Sequence, residues 1–234
     1  MTDASTMLRV NEVFGPTIQG EGPTTGRPCT FLRLALCNQT CSWCDTAYTW
    51  DWSRFNRDRE IHWLQIEETR QRLLECGLKW TNRLVVSGGE PLIQSKPLGT
   101  LLEVLPQWVE VETAGTIAPS VELARRVDQW NVSPKLATSG NRLETRRKVD
   151  VLRELNRLRS AFKFVVSDAA DFQEIEEIQA LVGIEHDRIW IMPEGADHDS
   201  LRMRGREVVK ETVERGYNLS WRLQVELWGG DRGH

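Results

Sequence analysis

Short apolar runs alternate along this chain with longer charged stretches of helical periodicity. Seven runs are predicted strands, at residues 29–36, 84–87, 108–113, 129–133, 161–167, 188–192 and 222–227. Four charged stretches are predicted helices, at residues 64–76, 144–158, 172–181 and 200–215. Alternation of strands and helices is typical of βα units on a mostly parallel sheet. We therefore expect an α/β fold, a partial (β/α) barrel of about six mostly parallel strands.

The length and charge of the chain restrict its organisation and its partners. With 234 residues it is long enough for one α/β domain and too short for two, so residues 1–234 are expected to form a single domain. A net charge of −4 argues against binding of nucleic acid or a membrane surface. A basic stretch at 142–159 is interrupted by acidic residues in the spacing of a solvated helix face. No apolar run approaches the ~20 residues of a membrane span, so we expect a cytoplasmic protein.

Three of the five cysteines lie within eight residues, directly after the first predicted strand. Cys37, Cys41 and Cys44 have the spacing C-x3-C-x2-C, with no fourth cysteine in place. Iron–sulfur clusters and structural zinc sites usually take four protein ligands, so three thiolates leave one metal position for another ligand. The alternatives are buried core cysteines, a disulfide or zinc. Loop residues at this spacing do not all face a core, and we expect no signal peptide, so the spacing favours an iron–sulfur cluster.

Three further motifs lie where predicted strands end. They are Ser87-Gly88-Gly89, Glu112-Thr113 and Ser133-Pro134-Lys135. Because ligands bind at the carboxyl ends of strands in barrels and open α/β sheets, these motifs and the cysteine loop (residues 37–44) are expected to meet in one pocket.

The cysteine spacing, with an aromatic residue before the last cysteine and with Ser87-Gly88-Gly89-Glu90-Pro91 after a strand, resembles the radical S-adenosylmethionine (SAM) superfamily. The resemblance implies a [4Fe–4S] cluster on the three cysteines, with the fourth iron held by SAM. An electron from the cluster then splits SAM into methionine and a 5′-deoxyadenosyl radical. The resemblance implies SAM contacts at Trp43, Cys44, Asp45, Gly89, Ser133, Pro134 and Lys135.

A narrower resemblance comes from Gln19-Gly20-Glu21-Gly22, Phe31-Leu32-Arg33-Leu34 and Cys44-Asp45-Thr46, which are similar to motifs of 7-carboxy-7-deazaguanine synthases. It covers about the first 135 residues. That family implies hydrogen abstraction from carbon 6 of 6-carboxy-5,6,7,8-tetrahydropterin, ring contraction and loss of ammonia to give 7-carboxy-7-deazaguanine. The product serves 7-deazapurine biosynthesis of the queuosine type.

The same resemblance implies a pterin site at Ile18, Gln19, Gly20, Glu21, Arg33 and Ser87. Arg33 lies inside an apolar strand, where a buried guanidinium needs a carboxylate partner. The substrate carboxylate suits that role, and a structural ion pair with Glu21 or Glu112 is the alternative. Gln19 and Glu21 are expected to read the amidine edge of the pterin. Thr46 matches the family position that binds Mg²⁺, with water and substrate supplying the other ligands.

The family further implies a flavodoxin-type electron donor and a homodimer. Residues 46–63, rich in Trp and Arg, form an insertion that either covers the site or is a surface excursion. The residues after Trp228 depart from family members that end near the active site, so no substrate contact is assigned to them or to Gln224. Two other functions stay open: a radical SAM activase of glycyl-radical enzymes, and a non-catalytic iron–sulfur or zinc module with a fourth protein ligand.

Overall fold

The computed structural model describes residues 7–234, and within this range nine strands form one open sheet. The strands are β1 Met7–Ile18, β2 Pro28–Leu34, β3 His62–Gln65, β4 Arg83–Gly88, β5 Trp108–Thr113, β6 Gln129–Val132, β7 Ala161–Val166, β8 Ile189–Pro193 and β9 Asn218–Leu219. They lie in the order β3-β1-β2-β4-β5-β6-β7-β8-β9. β2 and the strands from β4 to β9 are parallel, and β1 is antiparallel to both of its neighbours. The expected partial barrel is confirmed, with nine strands rather than about six.

Most of the helices connect strands and cover the outer face of the sheet. They are α1 Arg57–Glu60, α2 Ile66–Leu73, α3 Lys79–Thr81, α4 Ser95–Glu103, α5 Val121–Arg126, α6 Leu143–Arg146, α7 Val149–Arg157, α8 Asp171–Val182, α9 His198–Glu214 and α10 Leu223–Trp228. The longest, α9, begins where the Asp197 side chain accepts hydrogen bonds from the backbone N–H groups of Asp199 and Ser200. No helix within residues 7–234 combines the length and the apolar character needed to cross a bilayer.

The two faces of the sheet differ in chemistry because successive side chains of a strand point in opposite directions. In β7, Phe162, Phe164 and Val166 belong to the main apolar core, whereas Lys163 and Val165 line a cavity on the other face. The same alternation holds in β2, where leucines face the core and Phe31 and Arg33 face the cavity, and in β5, where valines face the core and Glu112 faces the cavity. The helix-covered face therefore stabilises the fold, and the inner face carries the functional side chains.

The C-terminal prediction is wrong. Residues 222–227 form most of helix α10 instead of a strand, and the last strand is the short β9, which pairs with Trp190 and Ile191 of β8. The Ser220 N–H donates to the Ile191 carbonyl, after which the chain leaves the sheet. The backbone N–H of Leu223, the first residue of α10, donates to the Gly20 carbonyl at 3.0 Å, so helix α10 lies against the loop that follows β1.

Two predicted helices differ from the structure, and the first strand, β1, was not predicted. The helix predicted from residue 64 begins at Ile66, because residues 62–65 form β3 and pair with residues 7–10 of β1. The helix predicted at 144–158 is broken into α6 and α7, since Arg147 and Lys148 have extended or irregular backbone angles. Arg147 instead binds Glu174 and Glu177 of α8, which fixes the break.

Candidate active site

The carboxyl ends of the parallel strands surround one cavity of about 690 Å³ on the inner face of the sheet. All of the predicted site residues except Pro134 line this cavity: Ile18, Gln19, Gly20, Glu21, Arg33, Cys37, Cys41, Trp43, Cys44, Asp45, Thr46, Ser87, Gly89, Ser133 and Lys135. Pro134 is buried beside it. Motifs that are far apart in the sequence therefore meet at one edge of the sheet, as expected for this class of fold.

The cysteine loop follows β2. Leu36 takes a positive φ of 78°, which turns the chain out of the strand and into the loop. Cys37, Cys41 and Cys44 are free and line the cavity together. Burial raises the pKa of the Cys37 thiol to about 12, and burial likewise raises the pKa of Cys41. Because thiolates are the metal ligands, cluster binding must displace these protons.

The three thiols of the cysteine loop all line one cavity. The other two cysteines lie elsewhere, Cys29 in a small apolar cluster with Phe14, Phe31 and Val85, and Cys76 with its thiol 3.8 Å from the Val13 carbonyl oxygen. In a cluster each thiolate binds a different iron, so three thiols around one cavity are a suitable donor set.

The backbone beside the cysteine loop requires glycine. A Cβ on Gly88, whose φ is +141°, would lie 2.1 Å from the Leu34 carbonyl oxygen, and a Cβ on Gly89 would lie 2.1 Å from the Leu36 carbonyl oxygen. The Gly89 N–H donates to the Leu34 carbonyl at 3.0 Å, which holds the end of β4 against the start of the cysteine loop. The two glycines thus bring backbone polar groups next to the cluster position, where a ligand of the open iron would lie.

The predicted SAM contacts surround the cysteine loop. Lys135 Nζ donates to the carbonyl and the hydroxyl oxygens of Ser133, both at 3.0 Å, and lies 5.8 Å from the centre of a Trp43 ring. The indole N–H of Trp43 is buried and has no hydrogen-bond partner among the described residues. An unsatisfied buried donor on the cavity wall fits a ligand that accepts a hydrogen bond there.

Arg33 binds a partner that the sequence did not indicate. Its Nε donates to Glu12 Oε1 at 2.6 Å, so neither Glu21 nor Glu112, the predicted structural partners, forms the pair. Glu12 faces Arg33 directly in the antiparallel β1–β2 register. Glu12 holds the guanidinium through Nε only, and the Arg33 side chain is 15% exposed towards the cavity. The two outer nitrogens, which have no bond within residues 7–234, remain available to a carboxylate ligand.

Glu21 is the centre of a buried ionic network. Its Oε2 accepts a hydrogen bond from Lys163, and its Oε1 accepts from Arg222 at 3.1 Å and from Gln224 at 2.6 Å. Burial alone would raise the pKa of Glu21, but the charges of Lys163 and Arg222 lower this pKa to about 2. Arg222 also donates to the Gly195 carbonyl and to Asp45, the residue that directly follows the cysteine loop. Glu21 is therefore ionised and fixed in place.

A second polar network lies behind Gln19. Gln19 Nε2 donates to Glu110 at 2.8 Å and to Glu112 at 3.2 Å, and Ser87 donates to Glu112 at 2.6 Å. Glu110 is fully buried and also accepts from Asn131. Burial, with a smaller contribution from the neighbouring Glu112, raises the pKa of Glu110 to about 7. The network fixes the orientation of the Gln19 amide, because its nitrogen must face the two carboxylates.

Several cavity residues were missed from the sequence. Lys163 could have been recognised from the sequence, because it is a single charged residue inside an apolar strand, as Arg33 is. Arg222 was not singled out, and no substrate contact was assigned to Gln224, whose segment was predicted to be a strand. The insertion at 46–63 contributes Thr46, Tyr48 and Trp50 to the cavity wall, while most of residues 52–60 are exposed, so it covers the site in part and is a surface excursion in part.

The C-terminal tail, residues 229–234, also lines the cavity, although no contact was predicted for it. Arg232 lies over the Tyr48 ring at 3.4 Å and forms an ion pair with Glu60 at 3.3 Å. The ring of His234 stacks on Trp228 at 5.4 Å. The tail and the 46–63 insertion therefore meet at the mouth of the cavity.

Comparison with known proteins identifies the family. The chain is 36% identical over 234 residues to the 7-carboxy-7-deazaguanine synthase of Pyrobaculum aerophilum, covering 98% of this chain and 99% of that protein. The chain belongs to the 7-carboxy-7-deazaguanine synthase family. The Hyperthermus butylicus 7-carboxy-7-deazaguanine synthase is 35% identical, over 94% of this chain and 93% of its own length. The crystal structure of QueE from Escherichia coli aligns with a TM-score of 0.68 and 26% identity, covering 93% of this chain and 94% of that one.

No family model matches the chain. The relatives nevertheless confirm the family expected from the motifs, the radical SAM enzyme class and the α/β fold. The resemblance, expected over about 135 residues, extends over nearly the whole chain. Family membership brings with it a [4Fe–4S] cluster and SAM as cofactors and a small-molecule substrate.

Proposed function

We propose that this chain converts 6-carboxy-5,6,7,8-tetrahydropterin into 7-carboxy-7-deazaguanine with loss of ammonia, a lyase reaction of 7-deazapurine biosynthesis. One observation carries the proposal: the three cysteines line the same cavity as Arg33 and the Gln19–Glu21 loop. A radical generated at the cluster can act only on a molecule held next to it, and this cavity offers groups for both ends of such a pterin. The name of the relatives agrees with this reaction.

The cysteine side of the cavity holds the cofactors. Cys37, Cys41 and Cys44 would bind three irons, and Gly89 with Trp43 would contact the SAM that binds the fourth. When bound, the cluster and SAM supply a 5′-deoxyadenosyl radical, which removes a hydrogen atom from the substrate. The chain excludes competing reactions by enclosing this chemistry between the inner face of the sheet and the tail at the mouth of the cavity.

The strand side of the cavity orients the substrate. The outer nitrogens of Arg33 form a fork that suits the carboxylate on carbon 6 of the pterin. Glu21, ionised by Lys163 and Arg222, accepts hydrogen bonds from the N–H groups of the amidine edge. The Gln19 carbonyl oxygen, turned away from the two glutamates that hold its nitrogen, accepts a further one. Ile18, Gly20 and Ser87 complete the substrate-binding wall.

Thr46 is the proposed protein ligand of Mg²⁺. Thr46 lines the cavity, and its hydroxyl lies 3.6 Å from the Cys44 sulfur. One hydroxyl is enough when water and a substrate carboxylate complete the shell, since Mg²⁺ commonly keeps several waters. A Thr46→Val variant, with its Mg²⁺ dependence of product formation measured by titration, tests this assignment; a titration identical to wild type would remove it.

The remaining parts of the proposal concern partners and location. We infer a flavodoxin-type electron donor to reduce the cluster, and a homodimer, for which the exposed apolar side chains Met203, Val209 and Val213 of α9 offer a surface. Five free cysteines suit the reducing cytoplasm. We also infer one domain for the chain, because all nine described strands belong to one sheet.

The test of the substrate assignment compares two strand arginines that both lie over an aromatic ring. Arg33 lies 5.4 Å from the Phe14 ring inside the cavity, and Arg83 lies 3.4 Å from the Trp108 ring outside it. Lysine keeps the charge but loses the fork. Arg33→Lys should raise the KM for the pterin about tenfold while SAM cleavage persists, and Arg83→Lys should leave this KM unchanged. Equal KM values for wild type and Arg33→Lys would refute the assignment.

A further inference from the structure

Two nitrogen-bearing side chains from outside the cysteine loop donate hydrogen bonds to its sulfur atoms; the Thr46 hydroxyl, 3.6 Å from Cys44 Sγ, forms a further contact in which either atom can be the donor. The amide Nδ2 of Asn141 donates to Cys41 Sγ at 3.2 Å. The indole Nε1 of Trp50 donates to Cys44 Sγ at 3.4 Å. Within residues 7–234, the third cysteine, Cys37, receives a hydrogen bond only from the backbone N–H of Gln39, at 3.4 Å. Asn141 is 100 residues away from Cys41 in sequence, so the fold brings this donor to the loop.

The neighbours of Asn141 fix which way its amide points. Its Oδ1 accepts the backbone N–H of Thr40 at 2.8 Å, and its own backbone N–H donates to Ser139 Oγ at 3.3 Å. The Thr40 N–H can bond only to the carbonyl oxygen of the Asn141 amide, so the NH₂ group of this amide must face Cys41. The Ser42 N–H also donates to the Ser139 carbonyl at 3.0 Å. The 139–141 segment therefore holds the middle of the cysteine loop with its donor pointing at sulfur.

In the bond between Trp50 and Cys44 the indole N–H is the donor, because an indole nitrogen only donates. Its backbone N–H donates to the Ala47 carbonyl at 3.1 Å, which fixes the residue at the end of a single helical turn. The indole lines the cavity beside Cys44. This bond gives the inner part of the 46–63 insertion a contact with the cluster position.

We propose that Asn141 and Trp50 are positioning residues that raise the reduction potential of the cluster by donating hydrogen bonds to its thiolate ligands. The inference rests on the cluster assignment in the proposed function. A one-electron reduction adds negative charge to the cluster and its sulfur ligands. Donors aimed at sulfur stabilise the reduced form more than the oxidised form, and hydrogen bonds to sulfur are among the factors that set cluster potentials.

The test is a potentiometric titration of anaerobically reconstituted protein with dithionite, in which the signal of the reduced cluster is followed by electron paramagnetic resonance. Trp50→Phe removes the N–H and keeps a ring. Trp52→Phe is the matched control, because Trp52 is in the same insertion but neither lines the cavity nor donates to a cysteine. Asn141→Asp keeps an acceptor for the Thr40 N–H and replaces the donor to Cys41 by an oxygen. Iron content per chain is measured for each variant.

We expect Trp50→Phe to make reduction up to about tenfold less favourable, because the lost hydrogen bond stabilises both forms of the cluster but the reduced form more; tenfold is about 59 mV for a one-electron couple. Asn141→Asp should shift the potential further in the negative direction, because it adds a negative charge as well as removing the donor; Trp50→Phe therefore isolates the effect of a hydrogen bond, and Trp52→Phe should match wild type. A wild-type potential in both cluster-loaded variants would overturn the inference. If Asn141→Asp fails to bind iron, Trp50→Phe alone decides. Product formation by wild type is assayed separately, so failure of the proposed reaction is distinguishable from failure of this inference.

Discussion

Relative to wild type, the Glu110→Gln variant should gain folding stability as the pH rises. The pKa of Glu110 is raised from 4.5 to about 7 because the carboxyl group is buried. Between these values the folded state binds a proton that the unfolded state has released, so the unfolding free energy of wild type falls as pH increases. One pKa unit is about 1.36 kcal/mol, so the decrease between about pH 5 and pH 8 is about 2.5 kcal/mol.

Glutamine can keep the hydrogen bonds of Glu110. Its carbonyl oxygen can accept from Gln19, which lies 2.8 Å from Glu110 Oε1, and from Asn131, while its NH₂ group can donate to the Thr24 hydroxyl, 2.6 Å from Oε2. The variant therefore loses the pH-dependent penalty without leaving a buried polar group unsatisfied.

Urea unfolding of cluster-free protein, followed by tryptophan fluorescence at about pH 5 and about pH 8, measures this effect. The stability of Glu110→Gln relative to wild type should increase by about 2.5 kcal/mol between the two conditions. If the difference in unfolding free energy between Glu110→Gln and wild type is the same at both pH values, Glu110 ionises normally in the folded state. That result would refute the argument from burial.

Three further substitutions probe the cavity. Lys163→Met removes one of the two cations that hold Glu21 and leaves only Arg222, so the KM for the pterin should rise about tenfold while SAM affinity is unchanged; an unaltered KM would mean that Lys163 is not needed to hold Glu21. Gly89→Ala places a Cβ 2.1 Å from the Leu36 carbonyl oxygen, so iron content per chain should fall, and full iron loading would contradict the close approach. Cys41→Ala should abolish the cluster absorbance and turnover together, and retained turnover would exclude Cys41 as a ligand.

The location of the site was predictable because it depends on where strands end. The motifs containing Cys37, Gly89 and Lys135 each follow an apolar run, and parallel strands bring such ends to one edge. Arg33 was recognisable since an unpaired charge inside an apolar strand needs a partner. The same reasoning applied to Lys163 would have placed it in the cavity as well.

The partners of these residues were not predictable, because they depend on register and on packing between distant segments. Glu12 faces Arg33 only through the β1–β2 register, and β1 was not among the predicted strands. Asn141 reaches Cys41 because the loop after β6 packs on the cysteine loop. In the segment 222–227, apolar residues at alternate positions suggested a strand, whereas the sheet ends at Leu219 and the chain forms a helix instead.

The most direct test is to incubate anaerobically reconstituted protein with SAM, a strong reductant, Mg²⁺ and 6-carboxy-5,6,7,8-tetrahydropterin, and to analyse the products by mass spectrometry. We expect 7-carboxy-7-deazaguanine. Its absence, from protein that carries the cluster, would contradict the proposed substrate. Formation of 5′-deoxyadenosine alone would then retain the radical SAM chemistry of the cavity with a different substrate.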